Sequence, residues 1–190
     1  MVNSPTCENA SDVLLFFAIT VHFRFVNHYK YERLQMGALM VSLVEVTEYN
    51  YYEICSLKVS PEQESYVAPA VSILARAYAK RNRNARALAI KNGETIVGVL
   101  MYMELHEEPA CYTIEQFLID HKYQNRSYGK QALGIVIEML ANERKYEAIE
   151  ICVKMEDAQA IKVYRDSGFA DTGYIDPDAS DSYCFRYDFT

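Results

Sequence analysis

Two stretches of the chain have residue types and spacings that suit a chemical site. The first, Gln124-Asn125-Arg126-Ser127-Tyr128-Gly129-Lys130, lies between an apolar run ending in Phe117-Leu118-Ile119-Asp120 and a helical stretch starting near Gly129. A strand, a short loop and a helix start together make an anion site, because unpaired backbone N–H groups converge there and the helix dipole adds partial positive charge. Arg126 and Lys130 add full charges. The ligand that suits such a turn is a pyrophosphate. A small polar loop before a helix is also an ordinary cap and turn, so the loop alone does not decide. The second stretch, Asp157-Ala158-Gln159-Ala160-Ile161-Lys162-Val163-Tyr164-Arg165-Asp166-Ser167-Gly168-Phe169, comes after the next apolar run.

The elements that must position these stretches can be read from periodicity. Val41 to Val46 alternates as a strand, and Thr47 and Asn50 offer capping chemistry for a short helix through Cys55. A helix fits Ala70 to Lys80, with Val71, Leu74 and Tyr78 on one face. Lys91-Asn92-Gly93-Glu94 between two apolar runs is a strong hairpin signal, because Asn and Gly tolerate positive φ. Tyr112 to Asp120 reads as a strand, and Gly129 to Glu143 as a long helix with the core stripe Leu133, Val136, Ile137, Leu140. Ile149 to Val153 is a strand, and Ala158 to Asp166 a helix stopped by Ser167-Gly168. Phe169 to Ile175 and Tyr183 to Phe189 close the chain as an antiparallel pair. This order predicts an α/β fold with a mixed, mostly antiparallel central sheet flanked by helices.

The chain has 190 residues, a net charge of −7 and 51% hydrophobic residues, which is globular rather than disordered composition. Residues 1–39 carry Arg24, Lys30 and Arg33 against Glu8, Asp12 and Glu32, so the net negative charge belongs to residues 40–190. The first 39 residues have no clean period and read as an N-terminal extension of unknown role, with residues 40–190 as the folded domain. The acidic balance speaks against a nucleic-acid partner. Cys7, Cys55, Cys111, Cys152 and Cys184 form no C-x-x-C pair and have no His at ligand spacing, so free thiols and no metal are expected. The apolar run Val13 to Val21 is shorter than the roughly 20 residues of a membrane span. It comes after acidic rather than basic residues, unlike a secretion signal, so a cytoplasmic protein without a membrane partner is expected.

Taken together, the two stretches resemble the GNAT family of acetyl-CoA-dependent N-acetyltransferases, which shows Q/R-x-x-G-x-G/A in the first and N-x-x-A-x-x-x-Y-x-x-x-G-F in the second. The likeness spans about Met40 to Phe189. Ser127 stands where the first loop glycine is expected, and Asp157 where Asn is usual. Ser127 fits such a loop without strain only if its φ is negative. Ser56-Leu57-Lys58-Val59-Ser60-Pro61-Glu62-Gln63-Glu64-Ser65-Tyr66-Val67-Ala68-Pro69 is similar to the L-x-V-x-x-x-Q-x-x-F-V-A segment of the diamine (spermidine/spermine) N-acetyltransferases, with Ala70 where an Asn is expected.

The resemblance implies acetyl-CoA as co-substrate, held by Phe117, Leu118, Ile119, Gln124, Asn125, Arg126, Ser127, Tyr128, Gly129, Lys130, Asp157, Ala160 and Tyr164. It implies direct transfer in a ternary complex to a small polyamine, by a homodimer. The amine must lose a proton before it attacks, and Glu115 is the candidate acceptor of that proton. By alternation it shares a face with Phe117 and Ile119 on a strand expected to be central. The other reading of Glu115 is a carboxylate on a wet face. A backbone N–H near Leu118 suits the oxyanion. Tyr164 matches the family's general-acid tyrosine, and its other reading is amphipathic core packing.

Glu104, Glu107 and Glu108, with Glu62 and Glu64, would attract a polycation if they faced the amine, and are otherwise solvated acidic loops. His106 and His121 read as surface residues. Two alternatives stay open beside the polyamine reading. One is a GNAT enzyme acting on another amine, such as an aminoglycoside-like antibiotic or a protein N-terminus. The other is an acetyl-CoA-binding regulatory module without turnover.

Overall fold

The computed structural model describes residues 41–189, so the expected extension 1–39, together with Met40, lies outside the described residues. The described chain runs β1 (Val41–Glu45), α1 (Tyr51–Cys55), α2 (Ala70–Ala79), β2 (Arg86–Asn92), β3 (Thr95–Leu105), β4 (Cys111–Ile119), α3 (Tyr128–Glu143), β5 (Ala148–Lys154), α4 (Ala158–Asp166), β6 (Ala170–Asp171) and β7 (Ser182–Asp188). The strands form a seven-stranded sheet in the order β1-β2-β3-β4-β5-β7-β6. Every neighbouring pair is antiparallel except β4 with β5. This is the mixed, mostly antiparallel α/β sheet that the sequence predicts.

The hairpin at Asn92-Gly93 forms as expected, with Gly93 taking φ 59° and Asn92 pairing with Thr95. β3 is buried along almost its whole length, because helices cover the sheet on both faces. On one face α3 packs Ala132, Leu133, Val136 and Leu140 against Leu100, Tyr112, Ile114 and Ile149, joined by Tyr164 of α4. On the other face Ile54 of α1 and Ala70, Ile73 and Ala77 of α2 cover Ala89, Val99, Met101 and Leu118.

Two of these elements depart from expectation. α2 has its predicted span, but of the stripe Val71, Leu74, Tyr78 only Leu74 packs, half-buried, against the core: Val71 is 57% and Tyr78 72% exposed. The helix approaches the sheet through Ala70, Ile73 and Ala77, and the two small alanines let it sit close. Tyr78 is instead covered by the Arg81 guanidinium, 4.4 Å from its ring centre. The closing antiparallel pair also forms, but β6 has two residues rather than seven. Thr172 donates its amide and its hydroxyl to the Cys184 carbonyl, and Gly173 then turns the chain away at φ 70°.

The parallel pair is the feature that makes room for a site. β4 and β5 pair only at Tyr112↔Ile149 and Thr113↔Glu150. Beyond Thr113 the strands diverge, while β4 stays paired to β3 as far as Ile119 and β5 to β7 as far as Lys154. The sheet therefore splits in the middle, between the two strands that precede α3 and α4.

Candidate active site

The split opens into a pocket of about 390 Å³. Phe117, Leu118 and Ile119 of β4 form its floor. Gln124, Asn125, Ser127, Tyr128, Gly129 and Lys130 form one side, and Asp157, Ala160 and Tyr164 the other. Of the residues expected to hold the nucleotide, all but Arg126 line this one cavity. Arg126 is exposed beside it, its guanidinium 5.8 Å from the centre of the Tyr123 ring.

The anion turn takes its shape from the backbone. Asn125 and Ser127 have φ of 62° and 60°, with Arg126 between them on the ordinary side. Alternating hands of this kind turn successive amide N–H groups toward one concavity. The positive φ is the strained option for Ser127, costing about 1–2 kcal/mol that a glycine would avoid. Ser127 is the N-cap of α3, yet its side chain makes no capping hydrogen bond, and among the described residues no side chain accepts from the first-turn amides. Asp157 behaves in the opposite way: its Oδ1 accepts from the Ala160 amide at 2.9 Å and closes the start of α4. Gly129 is not imposed by crowding, since an added Cβ would meet the Phe117 ring at 3.5 Å, an ordinary contact.

Tyr164 is buried between Phe169 and Phe185, with ring centres 6.0 and 6.5 Å away. Among the described residues, none hydrogen bonds to its hydroxyl. Burial, and then the nearby Asp157 charge, push its pKa above the usual phenol range, so it stays protonated. It is a proton donor on the wall of a pocket, which is what a departing thiolate needs.

Glu115 is on a central strand, as expected, but not on the expected face. Tyr102 pairs with Ile114 and Met101 with Gln116, so Glu115 is the extra residue of a β-bulge. The bulge resets the alternation: Ile114, Phe117 and Ile119 pack on the α3 side. Glu115 instead points to the α2 side, where Lys80 Nζ lies 2.7 Å from Oε2 and Arg76 3.8 Å from Oε1. The neighbouring Gln116 faces the same way and accepts from the Ala68 amide at 3.0 Å. Glu115 therefore lies on the opposite side of β4 from Phe117 and Ile119, and does not line the pocket.

The expected acidic attractor is partly dismantled. Glu104 is buried and engaged by Lys145 at 2.5 Å, His106 at 3.1 Å and Tyr146 at 3.2 Å. Burial would raise its pKa, but hydrogen bonds from Lys145, His106 and Asn84, with the Lys145 charge, outweigh that and hold it at about 2. Glu107 is paired with Arg83 at 3.0 Å. Glu62 and Glu64 are exposed on either side of the pocket residue Gln63 and, among the described residues, make no ion pair.

Several lining residues are not singled out by the sequence as part of a site. Val59, Gln63, Tyr66 and Val67 enter from the segment before α2. They sit inside the diamine-enzyme-like stretch, which is the available signal. Asp120 places this segment: its Oδ2 accepts from the Lys58 amide at 3.0 Å, and the His121 amide donates to the Lys58 carbonyl at 2.8 Å. Gln159, Lys162, Val163 and Asp166 come from α4, and their places within a turn of Ala160 and Tyr164 would have marked them.

Comparison with known proteins agrees with this geometry. Residues 49–169 match the Acetyltransferase (GNAT) family. A spermine/spermidine N(1)-acetyltransferase of Bacillus subtilis (strain 168) is 27% identical over 143 residues, which is 73% of this chain and 93% of that protein. An acetyltransferase from Thermus thermophilus superposes with a TM-score of 0.63 at 20% identity, covering 81% of this chain and 100% of the other. A spermidine N-acetyltransferase from Vibrio cholerae, solved with CoA and spermine, superposes at 0.60 with 15% identity, covering 78% and 95%. With more than half of its residues matching, this chain belongs to the GNAT family of acetyltransferases.

Proposed function

We propose that the enzyme transfers the acetyl group of acetyl-CoA to a primary amine of a small polyamine such as spermidine or spermine, directly and within a ternary complex. The observation that carries the reading is Tyr164, a buried phenol on the pocket wall whose hydroxyl has no partner among the described residues. In this reading the free first-turn amides of α3, with Lys130 and Arg126, hold the pyrophosphate. Phe117 to Ile119 line the path toward the split in the sheet. A β4 amide near Leu118 receives the oxyanion. Glu115 takes the proton of the incoming ammonium, directly or through water, from the α2 side of the strand. Tyr164 returns a proton to the thiolate.

The polyamine is favoured by the named relatives and by Glu62 and Glu64, which flank the pocket residue Gln63 with no ion-pair partner among the described residues. A homodimer working in the cytoplasm completes the reading. The test is thiol release from acetyl-CoA in the presence of spermidine, spermine, an aminoglycoside and a peptide with a free N-terminus. Release with the polyamines is expected. No release with either polyamine at pH values up to about 9, where more of each amine is free base, overturns the substrate assignment.

A further inference from the structure

Glu115 is held by two cations of its own chain, and the two sides of that contact differ. Its carboxylate is fixed at a strand bulge and its side chain is 18% exposed. Lys80, the C-cap residue of α2, and Arg76, one turn earlier, reach it from solvent with side chains 42% and 48% exposed. The Glu104–Lys145 pair is built differently, because Glu104 is also gripped by His106 and Tyr146. A flexible, exposed ammonium is readily displaced, whereas a carboxylate seated in a strand cannot follow it.

We propose that Lys80, with Arg76 beside it, is an internal stand-in for the acceptor's ammonium group and sets the threshold an amine must pass to reach Glu115. This rests on the transfer reading above. Lys80 Nζ is a primary alkylammonium, the same chemical group as the end of a polyamine. Exchanging one for the other leaves the charge beside Glu115 unchanged, so the carboxylate is never left bare. A neutral ligand cannot make this exchange. Lys80 thus raises the affinity that every amine must supply, and an amine with a second charge to anchor it meets that demand at a lower concentration.

The experiment compares the parent protein with Lys80→Met, which keeps the length and removes the charge, and Lys80→Arg, which keeps the charge. Steady-state kinetics use saturating acetyl-CoA and either spermidine or a monoamine. Calorimetric titration of spermidine without acetyl-CoA is run in parallel. For Lys80→Met we expect KM to fall roughly two- to tenfold with kcat little changed, by a similar factor for spermidine and for the monoamine, and spermidine to bind tighter to the same extent. Lys80→Arg should restore the parent KM. An unchanged or raised KM in Lys80→Met with transfer intact overturns the proposal. If no amine is acetylated, the transfer reading fails, and the titration decides separately: tighter spermidine binding to Lys80→Met supports the stand-in, and equal or weaker binding overturns it.

Discussion

Gln124 donates a hydrogen bond from Nε2 to Gln63 Oε1 at 2.8 Å, joining residues 61 positions apart across the pocket. The same Nε2 donates to the Ile119 carbonyl at the end of β4, and Gln63 Nε2 reaches Gln159 Oε1 at 3.5 Å. The Gln63 amide thus links the segment before α2, the loop before α3 and the first turn of α4. Gln63→Ala should weaken acetyl-CoA binding by roughly three- to tenfold, because the loop loses a partner while its charges remain. Titration calorimetry checks this, and unchanged affinity would show that the bond does not order the loop.

Tyr164→Phe keeps the ring packed between Phe169 and Phe185 and removes only the hydroxyl. Turnover should fall by about 100-fold with acetyl-CoA affinity nearly unchanged. Because burial and Asp157 hold the phenol protonated well above the usual range, the parent enzyme should show no alkaline loss of activity from this group across the pH range of an ordinary assay. Single-turnover and binding measurements on the variant separate the two effects.

Glu115→Gln retains the shape of the side chain beside Lys80 but cannot take a proton. Turnover should drop by about 100-fold, with the largest loss at lower pH, where less of the amine is already free base. A pH–rate profile for parent and variant checks it, and parallel profiles would remove Glu115 from the reaction.

Ser127→Gly relieves a left-handed serine at φ 60° that makes no capping bond in return. The gain in relieved strain exceeds the extra flexibility of glycine in the unfolded chain, so stability should rise by up to about 1 kcal/mol. Urea unfolding measures it.

Glu104 titrates at about 2 in the folded protein against an ordinary 4.5. Its pairing therefore adds stability in full above about 4.5, and that stability is lost as the pH falls toward about 2. Glu104→Gln should cost about 1–3 kcal/mol near neutral pH, and the difference from the parent should shrink as the solution is acidified through that window. Urea midpoints at about pH 6 and about pH 3 provide the comparison.

What is legible in the sequence is whatever is decided locally. α4 spans the predicted Ala158 to Asp166, because Asp157 caps its start and Ser167-Gly168 stops it, with Gly168 at φ 94°. The loop from Gln124 to Lys130 is legible for the same reason. The face of Glu115 is not. A bulge is a property of two paired strands, and nothing in the run from Cys111 to Ile119 marks where β3 will skip a residue. Its partners Lys80 and Arg76 come from a helix 35 or more positions earlier, and the periodicity of that helix points the wrong face inward. Periodicity ranks Val71 and Tyr78 above two alanines by hydrophobicity, whereas close approach to a sheet favours small side chains. Gln63 is visible as part of a motif, but its bonds to Gln124 and Gln159 depend on tertiary placement.

The two-rung junction between β4 and β5 puts this protein's robustness and its usefulness in opposition. A sheet zipped along its full length would be harder to melt, and would close the pocket in which the proposed transfer takes place. Selection for heat resistance alone should therefore lengthen that ladder and extinguish catalysis, so hardened variants that still turn over should carry their improvements in the helices and outer strands, away from the seam.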